Sequence, residues 1–265
     1  MNISAQRCGK TGWRALLVLG MAALILAGLT ACAGSQKRKA EAENHLNLGT
    51  AYVESGDYNA ALKELLAAEN RDPDNPQIHY YLSIVYFAKG YTDKAAAEGE
   101  RAVQLKSDYS LAYNFLGTVY YSQGRYEKAV EAFKMALADI LYETPSLALY
   151  NMGKAFYRLG DYHQALARYG EARAKDARRD LLPLIELETG RVKLALGDAN
   201  GAVDHLRKAT ELAPVLVEAH YLLGESYLKQ KNSAAARKAY QEVVRLAPNS
   251  DFGQKAAQAL KFMDI

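Results

Sequence analysis

The chain has 265 residues with 33 basic and 30 acidic side chains, but Arg7, Lys10 and Arg14 stand in a 31-residue leader that holds no acid. The remainder balances at 30 and 30, which excludes a bulk electrostatic attraction to nucleic acid. The two cysteines, Cys8 and Cys32, lie in that leader and at its end, so the region beyond them has no thiol for redox chemistry, disulfides or cysteine metal sites.

A basic start followed by the apolar stretch Ala15 to Leu29 reads as a secretory signal. At about 1.5 Å per helical residue that stretch reaches roughly 22 Å, short of the approximately 30 Å hydrocarbon core, which disfavours a spanning helix. It ends in Leu29-Thr30-Ala31-Cys32, which resembles a bacterial lipobox. The resemblance implies that residues 1–31 are a lipoprotein signal peptide and that Cys32 is the lipidation site, with covalent lipid as the one attached group and no other cofactor. An ordinary secretory peptide with a cysteine near its end is the alternative. Several acyl chains would anchor the protein firmly, each buried methylene contributing about 0.8 kcal/mol. Ala33, in place of Asp, favours the outer membrane by resemblance to the sorting rules of enteric bacteria, which puts the protein on its periplasmic face. Residues 32–41, with Gly34, Ser35 and Gln36 before Lys37-Arg38-Lys39, are expected to form a short flexible basic tether.

Beyond the tether, Ala61, Ala95, Ala129, Ala165, Ala202 and Ala236 recur at intervals of 34, 34, 36, 37 and 34 residues, the period of the tetratricopeptide repeat. Twelve residues before each alanine stands Gly49, Ser83, Gly117, Gly153, Gly190 or Gly224, and five before it Gly56, Gly90, Gly124, Gly160, Gly197 or Lys231. Each unit therefore reads as two amphipathic helices around a glycine turn. The small residue of the first helix lets its partner approach, with Leu48 and Tyr52 or their equivalents filling the space around it. Pro73, Pro214 and Pro248 close three units just past a second helix. The predicted repeats are 42–75, 76–109, 110–143, 146–179, 183–216 and 217–250. One hairpin cannot bury its apolar face alone, so the predicted fold is all-α, a right-handed superhelical solenoid of six stacked repeats with a concave inner face. Residues 251–265 supply a C-terminal capping helix with Phe252, Ala256 and Leu260 as its apolar stripe and Ser250 as its N-cap.

No catalytic constellation emerges. His45, His79 and His220 share one early position of the first helix, which suggests packing; His163 and His205 stand alone, and with no HExxH and no close histidine pair no metal site is expected. Gly9-Lys10-Thr11 lacks the earlier glycine of a phosphate loop and lies in the leader. Carboxylates such as Glu127 and Glu131 alternate with Lys128 and Lys134 as solvated helix surface. Tyr52, Tyr86, Tyr120 and Tyr227, with Phe156 and Lys193 at the same phase, are read as core. The face one turn around the first helix lines the groove in this repeat family, and by phase it carries Tyr80, Ile84, Phe87, Asn114, Thr118, Tyr121, Tyr150 and Lys154. The same face continues through Tyr157, Arg158, Leu187, Arg191, Leu194, Tyr221, Glu225 and Leu228. Aromatics around a basic centre of Lys154, Arg158 and Arg191 would suit a protein segment with apolar anchors and an acidic group, rather than nucleic acid or a small-molecule substrate.

The segment 136–153 resembles the PilF/PilW family of type IV pilus pilotins. Thr144 and Pro145 are inserted between repeats there, and Tyr142, Thr144, Pro145, Ala148, Asn151 and Gly153 match the family's pattern at the join of its third and fourth repeats. Six repeats after a lipobox match as well. Ile140 and Glu143 depart from the pattern, as do Lys193 at an aromatic position and Lys231 at a turn glycine. The resemblance implies a non-catalytic outer-membrane lipoprotein that binds the pilus secretin and promotes its delivery and assembly. A scaffold lipoprotein of another envelope machine, for polysaccharide export or outer-membrane protein assembly, is the alternative, and an enzyme accessory or cryptic hydrolase a third.

Overall fold

The computed structural model describes residues 35–263. The leader, Cys32 and residues 33 and 34 lie outside the described residues. Those described are helical almost throughout, with no strand among them, and no helix is long and apolar enough to cross a membrane. Contacts divide them into two compact units that meet in sequence between Leu105 and Lys106. The first unit holds α1 (residues 35–54), α2 (Tyr58–Glu69), α3 (Pro76–Ala88) and α4 (Thr92–Leu105). The second holds α5 (Ser110–Ser122), α6 (Tyr126–Leu137), α7 (Pro145–Arg158), α8 (Tyr162–Lys175), α9 (Leu182–Ala195), α10 (Ala199–Leu212), α11 (Val217–Lys229), α12 (Ser233–Leu246) and α13 (Asp251–Met263).

Within each unit the helices pack as antiparallel pairs, α3 on α4, then α5 on α6, α7 on α8, α9 on α10 and α11 on α12, while α6 meets α7, α8 meets α9 and α10 meets α11. All six phased alanines are fully buried. The small residue of the first helix faces the side chain four residues beyond each alanine. A methyl group added at Gly49, Gly117, Gly153, Gly190 or Gly224 would stand 2.5–2.8 Å from Leu65, Phe133, Tyr169, Leu206 or Tyr240. The second repeat inverts the arrangement. There the first helix carries Ser83, whose hydroxyl donates to the Ala95 carbonyl at 2.7 Å, and the bulky position of the second helix is Gly99.

One turn geometry ends every first helix. The amide just past the turn donates back to the carbonyl five residues earlier at 2.9–3.0 Å, from Asp57 to Tyr52, Tyr91 to Tyr86, Arg125 to Tyr120, Asp161 to Phe156, Asp198 to Lys193 and Asn232 to Tyr227. Closing that ring needs a left-handed residue, supplied by Gly56, Gly90, Gly124, Gly160 and Gly197 with φ of 74–81° and by Lys231 with φ 61°. A side chain in that region costs about 1–2 kcal/mol, so Lys231→Gly should stabilise the protein by about 1 kcal/mol after the greater freedom of its unfolded chain is counted. A higher urea midpoint with an unchanged slope is the expected readout. Asp57, Asp161, Asp198 and Asn232 then cap the second helices by accepting from the amide three residues on.

Two local expectations change. Leu48 is 45% exposed, with no preceding helical pair among the described residues to cover it, whereas its equivalents Leu82, Leu116 and Leu223 are buried. Residues 35–41, expected as a flexible tether, are already helical: Gln36 to Ala42 includes no glycine or proline, and Glu41 pairs with Arg71 at 3.2 Å. At the other end α13 lies on α12 with Ala256 buried and Phe252 and Leu260 partly so, and Ser250 Oγ accepts from the Gly253 amide at 3.0 Å, as an N-cap should.

Candidate partner-binding site

The predicted groove positions divide between the two units. In the first, Tyr80, Ile84 and Phe87 are half-buried on α3, with Tyr80 edge-on to Tyr81 at 5.1 Å. In the second, α5 and α7 stand side by side and bring Asn114, Thr118, Tyr121, Lys154, Tyr157 and Arg158 to one face, half-buried except for the exposed Arg158. Tyrosines and cations are interleaved there. Lys154 Nζ lies 5.2 Å from the Tyr121 ring and 5.5 Å from that of Tyr150, and the Arg158 guanidinium stands 5.0 Å from the Tyr126 ring. Tyr121 meets Tyr126 edge-on at 5.5 Å, and Tyr157 meets Tyr162 at 5.6 Å. Burial raises the Tyr121 and Tyr157 phenols, so both remain neutral donors and acceptors at physiological pH.

Thr118, Tyr121, Phe133, Asn151 and Lys154 line a small recess between these helices. Thr118 Oγ1 is spent on the Asn114 carbonyl at 3.2 Å, while Asn114 Oδ1 is buried with no hydrogen-bond partner.

Several predicted positions are closed. Tyr150 and Leu187 are only 8% and 3% exposed: Tyr150 packs on Tyr169 with ring centroids 6.1 Å apart, and Leu187 lies in the cluster around Leu206 and Leu222. Leu194 is partly buried against that cluster, and Tyr221 packs on Tyr240 and Phe252, so α13 covers part of the last repeat's face. Glu225, half-buried, interacts with the Tyr221 hydroxyl, and Leu228 is exposed. The basic centre narrows to Lys154 and Arg158. Arg191 is neutralised inside the protein by Glu188 at 2.9 Å and Glu218 at 2.6 Å.

Two features escaped the sequence reading. At the inserted segment, Ile140 is 95% exposed beside a cleft of about 440 Å³ lined by Leu137, Tyr142, Pro145, Leu149 and Met152. Three of the histidines, His45 and His79 read as packing residues and His205 as isolated, are paired with glutamates instead. His45 meets Glu64 at 2.7 Å, His79 meets Glu98 at 2.7 Å, and His205, reversed in order, meets Glu186 at 2.6 Å. Each pair is separated by 19 residues, a spacing visible in the chain once the register is known.

Tetratricopeptide repeat family models match residues 46–110 and 187–251 in one case and 108–178 in another, about three quarters of the chain together. The chain is 27% identical over 211 residues to DnaJ homolog subfamily C member 3 of Homo sapiens, covering 71% of this chain and 41% of that protein. It is also 30% identical over 139 residues to the type IV pilus assembly protein PilF of Pseudomonas aeruginosa, covering 49% of this chain and 55% of that one. The match thus spans less than half of the first relative and about half of the second. Among solved structures, that of Pseudomonas aeruginosa PilF superposes with a TM-score of 0.71 at 22% identity, over 84% of this chain and 99% of that one. PilW, described as a widely conserved type IV pilus biogenesis factor, superposes with a TM-score of 0.74 at 23% identity, over 82% and 98%. At such identity the likeness shows the fold.

Proposed function

The chain belongs to the tetratricopeptide repeat family, and from that premise we propose that it is a pilotin-type scaffold: an outer-membrane lipoprotein, anchored through Cys32, that grips the type IV pilus secretin and supports its assembly. The observation that carries the reading is the open face of α5 and α7, where Tyr121, Lys154, Tyr157 and Arg158 present aromatic and cationic surface outward. With Arg191 already paired, Lys154 and Arg158 remain to meet an acidic side chain or a chain end, and the tyrosines offer apolar anchors of the kind that dominate binding energy. The Tyr142, Thr144 and Pro145 segment, the relation to PilF and the lipobox-like Leu29 to Cys32 support the pilus assignment. The work of such a protein is binding, with the lipid as address and the repeats as grip.

The test is affinity capture from detergent-solubilised envelopes. The wild-type chain should retain the pilus secretin, and the Tyr121→Ala, Tyr157→Ala, Arg158→Glu variant should lose it by more than about tenfold at an unchanged melting midpoint, because truncating central aromatic anchors typically costs 2 kcal/mol or more. Enrichment of a polysaccharide-export or outer-membrane assembly complex without the secretin would replace the assignment.

A further inference from the structure

The first unit brings three ligand-bearing side chains together from three helices. Glu69 ends α2, His79 sits on α3 and Glu98 on α4, and their ligand atoms all lie within 4.8 Å of one another. Among the described residues this is the one such group of three. We infer that Glu69, His79 and Glu98 form a binding site for a divalent transition metal, with zinc the ion their donors match best.

The imidazole is prepared for the role. His79 is 4% exposed, and its Nε2 stands 2.8 Å from the Pro73 carbonyl, which can only accept, so Nε2 carries the proton. In the neutral ring that leaves a lone pair on Nδ1, directed at Glu98 Oε2 only 2.7 Å away. Two lone pairs cannot face each other at that distance without a proton or a cation between them. A ring nitrogen fixed by a backbone carbonyl on its far side is also the usual outer support of a metal-bound histidine.

A comparison within the chain separates this cluster from an ordinary histidine–carboxylate pair. Glu186 and His205 occupy the same two repeat positions as His79 and Glu98, in reversed order. The third position, eight residues beyond the phased alanine of the preceding repeat, is Arg173 there and Glu69 here. Arg173 reaches Glu186 at 3.5 Å and Lys208 adds a second cation at 2.8 Å, so that site is balanced by the protein's own charges. At the earlier site the third group is a second carboxylate, and two acids flank one imidazole. One nitrogen and two carboxylate donors with a position left for water suit zinc, whereas calcium and magnesium favour all-oxygen shells of six or more ligands. Zinc ligands at about 2.0–2.2 Å stand roughly 3.3 Å apart in tetrahedral geometry, so the cluster needs only small side-chain shifts to close on an ion. Glu98 is 22% exposed, which leaves a path inward from solvent.

The experiment is calorimetric titration of zinc into the purified full chain, free of any histidine tag, with melting followed in parallel. One saturable zinc per chain and a raised melting midpoint are expected, and cobalt should give a visible absorption of nitrogen and oxygen ligation. Glu69→Lys, which installs a cation as the later repeat does, should keep the fold and weaken zinc binding by more than about tenfold, and Glu69→Gln should do the same if the lysine proves disruptive. His45→Gln should leave binding unchanged. Absence of a saturable event, undiminished binding in the Glu69 variants, or loss in His45→Gln would overturn the site.

Discussion

Tyr169→Ala should destabilise the protein by about 3–5 kcal/mol, the range for removing a large buried aromatic side chain. The ring is 1% exposed, lies over Gly153 where an added methyl would come within 2.5 Å of it, and packs at a tilt against Tyr150. The facing position is Gly153, which has no side chain to fill the space the ring would leave. Tyr169→Phe behaves differently. The hydroxyl is buried with no hydrogen-bond partner, so deleting it leaves the packing and removes an unmet polar group, and stability should hold or rise by about 1 kcal/mol. Gly153→Ala gains about 1 kcal/mol of helix propensity but collides with the ring, and a net loss of about 2 kcal/mol is expected that disappears in the Tyr169→Ala background. Urea unfolding of the three single variants and the double variant measures all of this. Equal losses from Gly153→Ala in both backgrounds would refute the contact.

The helix pairs were legible because small residues at a fixed phase have few explanations. What phase alone hid was which atoms meet. Ala165 marks the register, yet Gly153 packs on Tyr169, four residues further along the facing helix, and the second repeat reaches the same spacing by exchanging the roles through Ser83 and Gly99. Lys231 departs from the glycine pattern in sequence, but the backbone bond from Asn232 to Tyr227 holds it in the same left-handed turn. Local hydrogen bonding overrides residue preference there.

The candidate site was legible in direction and not in depth. A helical phase places Tyr121 and Tyr150 on one face, but Tyr150 meets a facing tyrosine and closes, whereas Tyr121 borders solvent beside Lys154. Half of the neutralisation of Arg191 could be read from Glu188, three residues before it on the same helix. The other half comes from Glu218 on α11, whose approach depends on how consecutive repeats stack. The histidine pairs were within reach of the sequence, since one spacing of 19 residues serves all of them, but His205 carries its charge order reversed and so drops out of a search for repeated histidines.

That reversed pair gives the fold a specific weakness in acid. Glu186 is 1% exposed, a position that by burial alone would push its carboxyl pKa upward. Hydrogen bonds with His205 at 2.6 Å and Lys208 at 2.8 Å, and the electrostatic pull of the two partners, outweigh burial and hold it down at about 2. A carboxylate whose pKa is lower folded than unfolded contributes stability above the unfolded value of about 4.5, and that contribution drains away as pH falls from there toward 2. At about 1.36 kcal/mol per unit the ceiling is near 3 kcal/mol; the ends of Lys208 and Arg173 stand partly in solvent, so about 2 kcal/mol is expected. Glu186→Gln should therefore melt well below wild type at pH 7, and the gap should narrow steadily between pH 5 and pH 2.5 as the wild-type carboxylate takes up its proton. A gap that stays constant across that window would mean the side chain acts through shape alone, and the ion pairs around it would lose their part in the stability of the fifth repeat.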